Sequence, residues 1–388
     1  MEFLWPEPVQ RVQHLAESGL KCVPAQYVRP AADRPHLMID ASGAAHAARR
    51  EGFQTQRLSS YEGTSLESIG VPVLDLADWM SGGERSMAFL RQLKRACEEW
   101  GFLQLINHGM SEAELDRVRE AARGFFHLPI QEKQAYANDP VSYQGYGSRL
   151  GSTKGAILDW GDYFFLNILP VASRDMTKWP TNPHSWRSVM EDYCKKIAEL
   201  SRKLLEALSI SLDLTAASTL QEAFGEVDMG LRINFYPPCP QPELTLGLSS
   251  HSDPGGIALL LQDPKVGGLQ VKPPSSLEWI NVPVIPGALL VNIGDQVQIL
   301  TNGRYKSVEH RVVTNNNCER LSLVCFINPG NNTVVSPLPE LVPRNELPAY
   351  NAMTFKQYRS FIRRMGTNGK GHINSIASPT SLTPKSQA

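Results

Sequence analysis

Two periodicities divide this chain. From Val71 the run VPVLDL reads as a strand, helical patterning follows to Glu99, and Gly101 ends it. FLQLINH then reads as a buried strand, and Ser111 with Glu114 has the spacing of a capping box that opens a second helix to Phe126. Between Ser185 and Leu208 the residues Val189, Tyr193, Ile197, Leu200 and Leu204 recur on one helical stripe. Past Gly230 the period shortens. LRINFY, TLGLS, IALLLQ, GLQV, WINV, ALLVNI, YKSVEHRVV and RLSLVCFI are short strands separated by Pro and Gly clusters, which predicts a sandwich or barrel. In MTFKQYRSFIRRMG, Thr354 and Gln357 form a capping box, and Phe355, Tyr358 and Ile362 form the stripe of a C-terminal helix. The pattern is α+β: an extension over 1–70, partly irregular, a mainly helical half over 71–225, an all-β half with its closing helix over 226–366, and a polar tail over 367–388 expected to be mobile.

Composition narrows the partners. The 388 residues carry a net charge of -1, which argues against nucleic acid or an anionic membrane as the main partner. Six scattered cysteines, with no CxxC pair, fit reduced thiols in the cytosol. MEFLWPEPVQRVQ lacks the basic start and apolar run of a signal peptide, and no stretch has the length of a membrane-spanning helix. The expectation is a cytoplasmic monomer that acts on a small molecule.

The chemistry concentrates in LSSHSDPGGIALL, where His251 and Asp253 stand two positions apart in an apolar segment. In extended backbone such residues point the same way. A buried carboxylate needs a positive partner, so the stretch is either a solvated turn or a place where a cation binds. Of the nine histidines His310 is the best third ligand, because it too lies in a strand, fifty-seven positions beyond Asp253. Two histidines and a carboxylate leave open positions on a metal, as non-haem Fe(II) oxygenases require, although a surface His-Asp pair gives the same letters. Arg320 and Ser322 share a face in RLSLVCF and suit a carboxylate ligand. Lying ten positions after His310, Arg320 is expected on an adjacent antiparallel strand. In LRINFY the polar Arg232, Asn234 and Tyr236 alternate with Ile233 and Phe235.

Taken together, HSD, His310 and RLS, with NFYPPCPQPELTLGL, VNIGDQVQILTNGRYKSVEHRV and INHGM, resemble the plant 2-oxoglutarate- and Fe(II)-dependent dioxygenases. The resemblance implies a double-stranded β-helix, a jelly-roll (cupin-like) barrel flanked by helices. It implies that His251, Asp253 and His310 hold Fe(II), and that Arg320 and Ser322 grip the distal carboxylate of 2-oxoglutarate, assisted by Tyr236 and Asn234. O2 would be the second co-substrate and ascorbate the reductant, with one oxygen atom passing to the substrate and one to succinate.

Tyr163, Phe165 and Asn167 alternate in DWGDYFFLN, and Phe326 shares a face with Arg320. On the last helix Arg359 and Arg363 are one turn apart at the edge of the stripe, whereas Arg364 points away. SYQGYGSRLGSTKGAILDWGDYFFL, SHSDPGG and QYRSFIRRMG are similar to the jasmonate-induced oxygenases, which convert jasmonic acid to 12-hydroxyjasmonic acid and so inactivate a hormone. That similarity implies that Arg232, Arg359 and Arg363 hold the jasmonate carboxylate, beside Phe165 and Phe326, and Tyr163, on the same strand face as Phe165, is a further candidate for the substrate pocket. Ser250 stands where that subfamily usually has proline, and INPG replaces its YNP. A flavonoid-oxidising dioxygenase of the leucoanthocyanidin or flavone-forming type is the competing enzyme, and a non-catalytic small-molecule-binding barrel the competing class. An iron oxygenase that works without 2-oxoglutarate is a third reading.

Overall fold

Alternation along the strands decides how this chain packs. In the strand Arg320–Asn328, Leu321, Leu323, Cys325 and Ile327 turn into one hydrophobic core, while Arg320, Ser322, Val324 and Phe326 turn to the other side. The neighbouring strand Asp228–Tyr236 does the same with Met229, Leu231, Ile233 and Phe235. The computed structural model describes residues 10–35, the backbone of 37–39 and 45–47, and residues 70–138, 141–148, 154–365 and 369–378.

Eight strands form the major sheet, in the order Val73–Asp75, Phe102–Ile106, Leu289–Ile293, Ile257–Leu261, Arg320–Asn328, Asp228–Tyr236, Asp162–Leu169, Gly145–Gly147. Four form the minor sheet: Ile280–Asn281, Leu269–Lys272, Glu309–Val312, Leu248–His251. From Leu248 to Asn328 the chain passes back and forth between the sheets, apart from the hairpin of Leu269–Lys272 with Ile280–Asn281 inside the minor one, which makes the barrel a jelly roll. Its interior holds Phe102, Tyr236 and Leu290 from the major sheet against Leu269, Val271 and Val312 from the minor one.

The helices Gly83–Glu99, Glu112–Phe126 and Trp186–Ser211 cover the outer face of the major sheet and share one core with it. Ser111 and Glu114 form the expected capping box, and Tyr193, Ile197, Leu200 and Leu204 are buried on the stripe of the long helix. The C-terminal helix Phe355–Met365 starts as its letters predict: the backbone N–H of Thr354 donates to Gln357 Oε1 at 2.9 Å, and that of Gln357 to Thr354 Oγ1 at 3.3 Å.

Two expectations are corrected. Arg320 and His310 do not lie on adjacent strands but in opposite sheets, because the chain crosses the barrel between them. The tail folds back over 369–378: Gly369 pairs with His251, its N–H donates to Ser250 O at 3.1 Å, and Ser252 N–H donates to Gly369 O at 3.3 Å. The short helix Gly371–Ser375 follows, and buried Ile373 and Ile376 account for its attachment. The extension is folded at its start. In the helix Val12–Glu17, the N–H groups of Val12 and Gln13 donate to the two oxygens of Asp162 at 2.9 and 3.0 Å. Tyr146 donates its hydroxyl to the same carboxylate at 3.0 Å, while Val12, Leu15 and Tyr27 pack with Trp160. Most of 36–69 lies outside the described residues, apart from a two-stranded ladder of Leu37–Ile39 with Ala45–Ala47.

One carboxylate thus anchors the first helix to the barrel. Asp162→Ala leaves three donors without their acceptor and should cost roughly 2–3 kcal/mol of stability, read from urea denaturation. The first thirty or so residues should then become the preferred site of limited proteolysis; an unchanged cleavage pattern would remove this role from Asp162.

A candidate metal and carboxylate site inside the barrel

His251 and His310 are direct register partners on neighbouring strands of the minor sheet, their ring centroids 4.2 Å apart. Asp253 lies just past the end of the strand Leu248–His251 rather than within it, in the turn that leads to the major sheet. The turn needs its two glycines for close approach. A Cβ on Gly255 would sit 1.8 Å from Asn328 Oδ1, and one on Gly256 would sit 2.4 Å from the Phe224 ring. Asp253 Oδ1 consequently lies 3.6 Å from Nε2 of both histidines, and one ligating atom from each residue falls within 4.8 Å of the others.

The protons on the histidines follow from their neighbours. His251 Nδ1 faces Ser249 O at 2.8 Å, and His310 Nδ1 faces Val308 O at 3.3 Å. A carbonyl only accepts, so each Nδ1 carries a hydrogen, and each Nε2 is the atom turned to the interior. Burial, reinforced by His310, pushes the pKa of His251 down to about 4, so its ring is neutral at neutral pH. The Nε2 atoms of both histidines thus converge on one buried carboxylate oxygen. A cation relieves that arrangement, and the donor set fits a divalent transition metal with open positions. Asn292, in the middle of the buried strand Leu289–Ile293, donates its Nδ2 hydrogen to Asp253 Oδ2 and fixes the carboxylate.

Across the barrel, Arg320 is only 2 % exposed, yet its Nε and Nη2 have no partner among the described residues. Its Nη1 donates to Ser322 Oγ at 3.4 Å, and its guanidinium lies 5.5 Å from the Tyr236 ring centroid. Burial lowers its pKa. A buried guanidinium with free donors fits a carboxylate ligand, as 2-oxoglutarate would supply. Ser322 pairs with Asn234 across the ladder and Arg320 with Tyr236, so the four expected residues share one patch of the inner face.

Farther along that face the expected substrate residues gather. Arg232 lies flat on Tyr163, 4.1 Å from the ring centroid, and donates from Nε to Asn234 Oδ1 at 2.6 Å. Phe165 covers Gly230, where a Cβ would meet its ring at 2.8 Å, and Phe326 pairs with Gly230 and Ala258. Small residues there leave room for two phenylalanines. The three arginines differ in their engagements. Arg359 is paired with Asp228 (Nη1 to Oδ1 3.3 Å) and donates to Asn331 Oδ1 at 2.6 Å. Arg232 and Arg363 have no carboxylate within ion-pair distance among the described residues, and burial lowers the pKa of both.

Several supporting residues escaped the sequence reading. Asn292 breaks the apolar run ALLVNI, which is a legible signal for a buried polar role. Asp295 accepts from Tyr358 Oη at 2.7 Å and Ser252 Oγ at 3.3 Å, and its N–H donates to Asp253 O at 2.8 Å, tying the last helix to the turn of Asp253. Burial raises the pKa of Asp295. Arg29, from the extension, and Ser249 both donate to Asp159 Oδ1, which braces the strand of His251. No local pattern announces these long-range contacts.

Comparison with known proteins agrees with this geometry. Residues 227–329 match the 2OG-Fe(II) oxygenase superfamily, and residues 71–187 match the family described as non-haem dioxygenase in morphine synthesis N-terminal. Jasmonate-induced oxygenase 1 of Arabidopsis thaliana is 46% identical over 97% of this chain and 88% of its own. Leucoanthocyanidin dioxygenase of Perilla frutescens is 36% identical over 90% of this chain and 93% of its own. The crystal structure of JOX2 in complex with 2OG, Fe and JA superposes with a TM-score of 0.84 at 44% identity, covering 97% of this chain and all (100%) of that one. No helix among the described residues is long and apolar enough to cross a membrane. Jelly-roll topology, donor set and similarity over nearly the full length lead to one conclusion: the chain belongs to the 2OG-Fe(II) oxygenase superfamily and is a 2-oxoglutarate-dependent dioxygenase.

Proposed function

We propose that this enzyme hydroxylates jasmonic acid, with His251, Asp253 and His310 holding Fe(II) and Arg320 and Ser322 holding 2-oxoglutarate. The observation that carries the substrate is the pair Arg232 and Arg363, half-buried cations with no carboxylate at ion-pair distance among the described residues. The similarity to jasmonate-induced oxygenases supports the same choice. A flat polyphenol would leave both charges uncompensated.

When bound, iron and 2-oxoglutarate supply the oxidising chemistry, in which O2 and the oxo acid yield succinate, CO2 and one oxygen atom inserted into a substrate C–H bond. The chain's part is placement. The two imidazoles and Asp253 would hold the metal. Arg320, facing across from Tyr236, fixes the far carboxylate of the oxo acid and so sets its direction. Arg232 and Arg363 draw the substrate carboxylate to the rim, while Phe165 and Phe326 enclose its hydrocarbon part and keep water from the reacting carbon. Arg359, held by Asp228 and Asn331, keeps the last helix in register and reaches the substrate through that placement. The proposal extends to a cytosolic monomer: six free cysteines suit a reducing compartment, and the exposed apolar side chains Met80, Val171, Leu277 and Leu347 stand on separate segments.

Enzyme loaded with Fe(II) under argon, then given O2, 2-oxoglutarate and jasmonic acid, should release a product one oxygen atom heavier with equimolar succinate, read by mass spectrometry. Turnover of a flavonoid panel in its place would sink the substrate assignment and keep the reaction class. Asp253→Ala should abolish turnover and Mn(II) binding in equilibrium dialysis; retained activity would end the metal assignment. Arg320→Leu should raise KM for 2-oxoglutarate by about two orders of magnitude, and Arg363→Ala should raise KM for jasmonic acid while leaving that for 2-oxoglutarate in place. Equal effects of Arg363→Ala on both would mean that this helix does not face the substrate.

A further inference from the structure

Tyr143 lies at φ +60°, a left-handed conformation that a bulky aromatic rarely adopts and that costs free energy unless the surroundings enforce it. Residues 141–148 run along the barrel rim. Gln144 accepts the N–H of Asn167 at 3.0 Å, and Gly145 and Gly147 pair with Phe165 and Tyr163. Glycine at 145 is itself obligatory: its φ is +110° and a Cβ there would lie 2.2 Å from Tyr136 O. These ties hold the turn, and its strained residue presents a half-buried ring to the last helix. The Arg363 guanidinium lies over that ring, 4.8 Å from its centroid.

The arrangement repeats the one beside it. Arg232 rests on Tyr163 at 4.1 Å, Arg363 on Tyr143 at 4.8 Å, and neither has a carboxylate partner among the described residues. Arg359, the arginine with a carboxylate, stacks only on Phe355 of its own helix. A tyrosine face attracts a guanidinium through its quadrupole without neutralising it, so it orients the cation and leaves its net charge for a ligand. A carboxylate partner would orient it equally well and cancel the charge.

We propose that Tyr143 is a specificity-determining positioning residue, whose ring aims the Arg363 guanidinium at the carboxylate of the substrate. The inference rests on the carboxylate reading given above. It assigns the strain at Tyr143 a purpose: the left-handed turn is what carries the ring from the sheet edge to the helix. Arg232 is held by the sheet, whereas Arg363 stands on a separate helix and needs this contact to share the same ligand.

The test compares jasmonic acid with its methyl ester in the full-length Fe(II) enzyme, across wild type, Arg363→Ala and Tyr143→Phe, →Ala and →Gly. Wild type should favour the acid. Tyr143→Ala should raise KM for the acid roughly fivefold to tenfold, with kcat near wild type and no change for the ester or for 2-oxoglutarate. Tyr143→Phe keeps the ring and should restore the acid preference. Tyr143→Gly relieves the φ of +60° and should melt no lower than wild type, yet lose acid preference as Tyr143→Ala does. That split between melting temperature and KM separates positioning from mere packing. If Tyr143→Gly keeps the acid preference, or if acid and ester KM rise together, the role of Tyr143 is overturned while the carboxylate reading stands. If wild type and Arg363→Ala treat acid and ester alike, the carboxylate reading fails first and the proposal fails with it.

Discussion

Three polar side chains held at close quarters inside an apolar barrel are the constraint around which this structure is arranged. Two imidazole nitrogens and a carboxylate oxygen meet there, the oxygen 3.6 Å from each nitrogen. Everything nearby keeps them there. Backbone carbonyls take the Nδ1 hydrogens, Asn292 takes the second oxygen of Asp253, and the glycine pair brings the turn against the major sheet. Without a metal the cluster is a local cost that the surrounding core must offset. With one it becomes the tightest point of the structure.

Charge is distributed unequally around that point. Arg320, Arg232 and Arg363 are cations with spare donors or spare charge, on or facing the inner surface of the major sheet, whereas Arg359, Arg123 and Arg29 are compensated by carboxylates. The uncompensated ones lie where ligand carboxylates would enter, and the compensated ones hold elements together. Similar residues thus serve binding or stability according to whether an acid stands beside them.

The barrel was legible in the chain because its strands are short, alternate cleanly and end at Pro or Gly. Each of the eight runs past Gly230 contains a strand, although TLGLS is displaced to Leu248–His251 and YKSVEHRVV shortens to Glu309–Val312. His251, Asp253, His310, Arg320 and Ser322 were readable because a polar residue inside an apolar run is costly and so informative. The placement of Arg320 opposite His310, rather than beside it, was not readable, since spacing alone does not tell a hairpin from a crossover between sheets. Nor were Asp159, Asp295 and Tyr143, whose partners lie far away in sequence. The ordered stretch 369–378 was hidden by its polar letters, among which His372, Ile373 and Ile376 are buried.

Gly369 forms a rung with the strand of His251, four residues after the helix that bears Arg359 and Arg363 ends. Helix, rung and histidine strand are therefore connected in mechanical series, and Asp295 bridges the same two parts through Tyr358 and Ser252. The last helix and the histidine strand are thus fastened to the same buried carboxylate, and the Gly369 rung adds a second tie at His251, so the C-terminal part of the chain is part of the frame that holds the histidine pair.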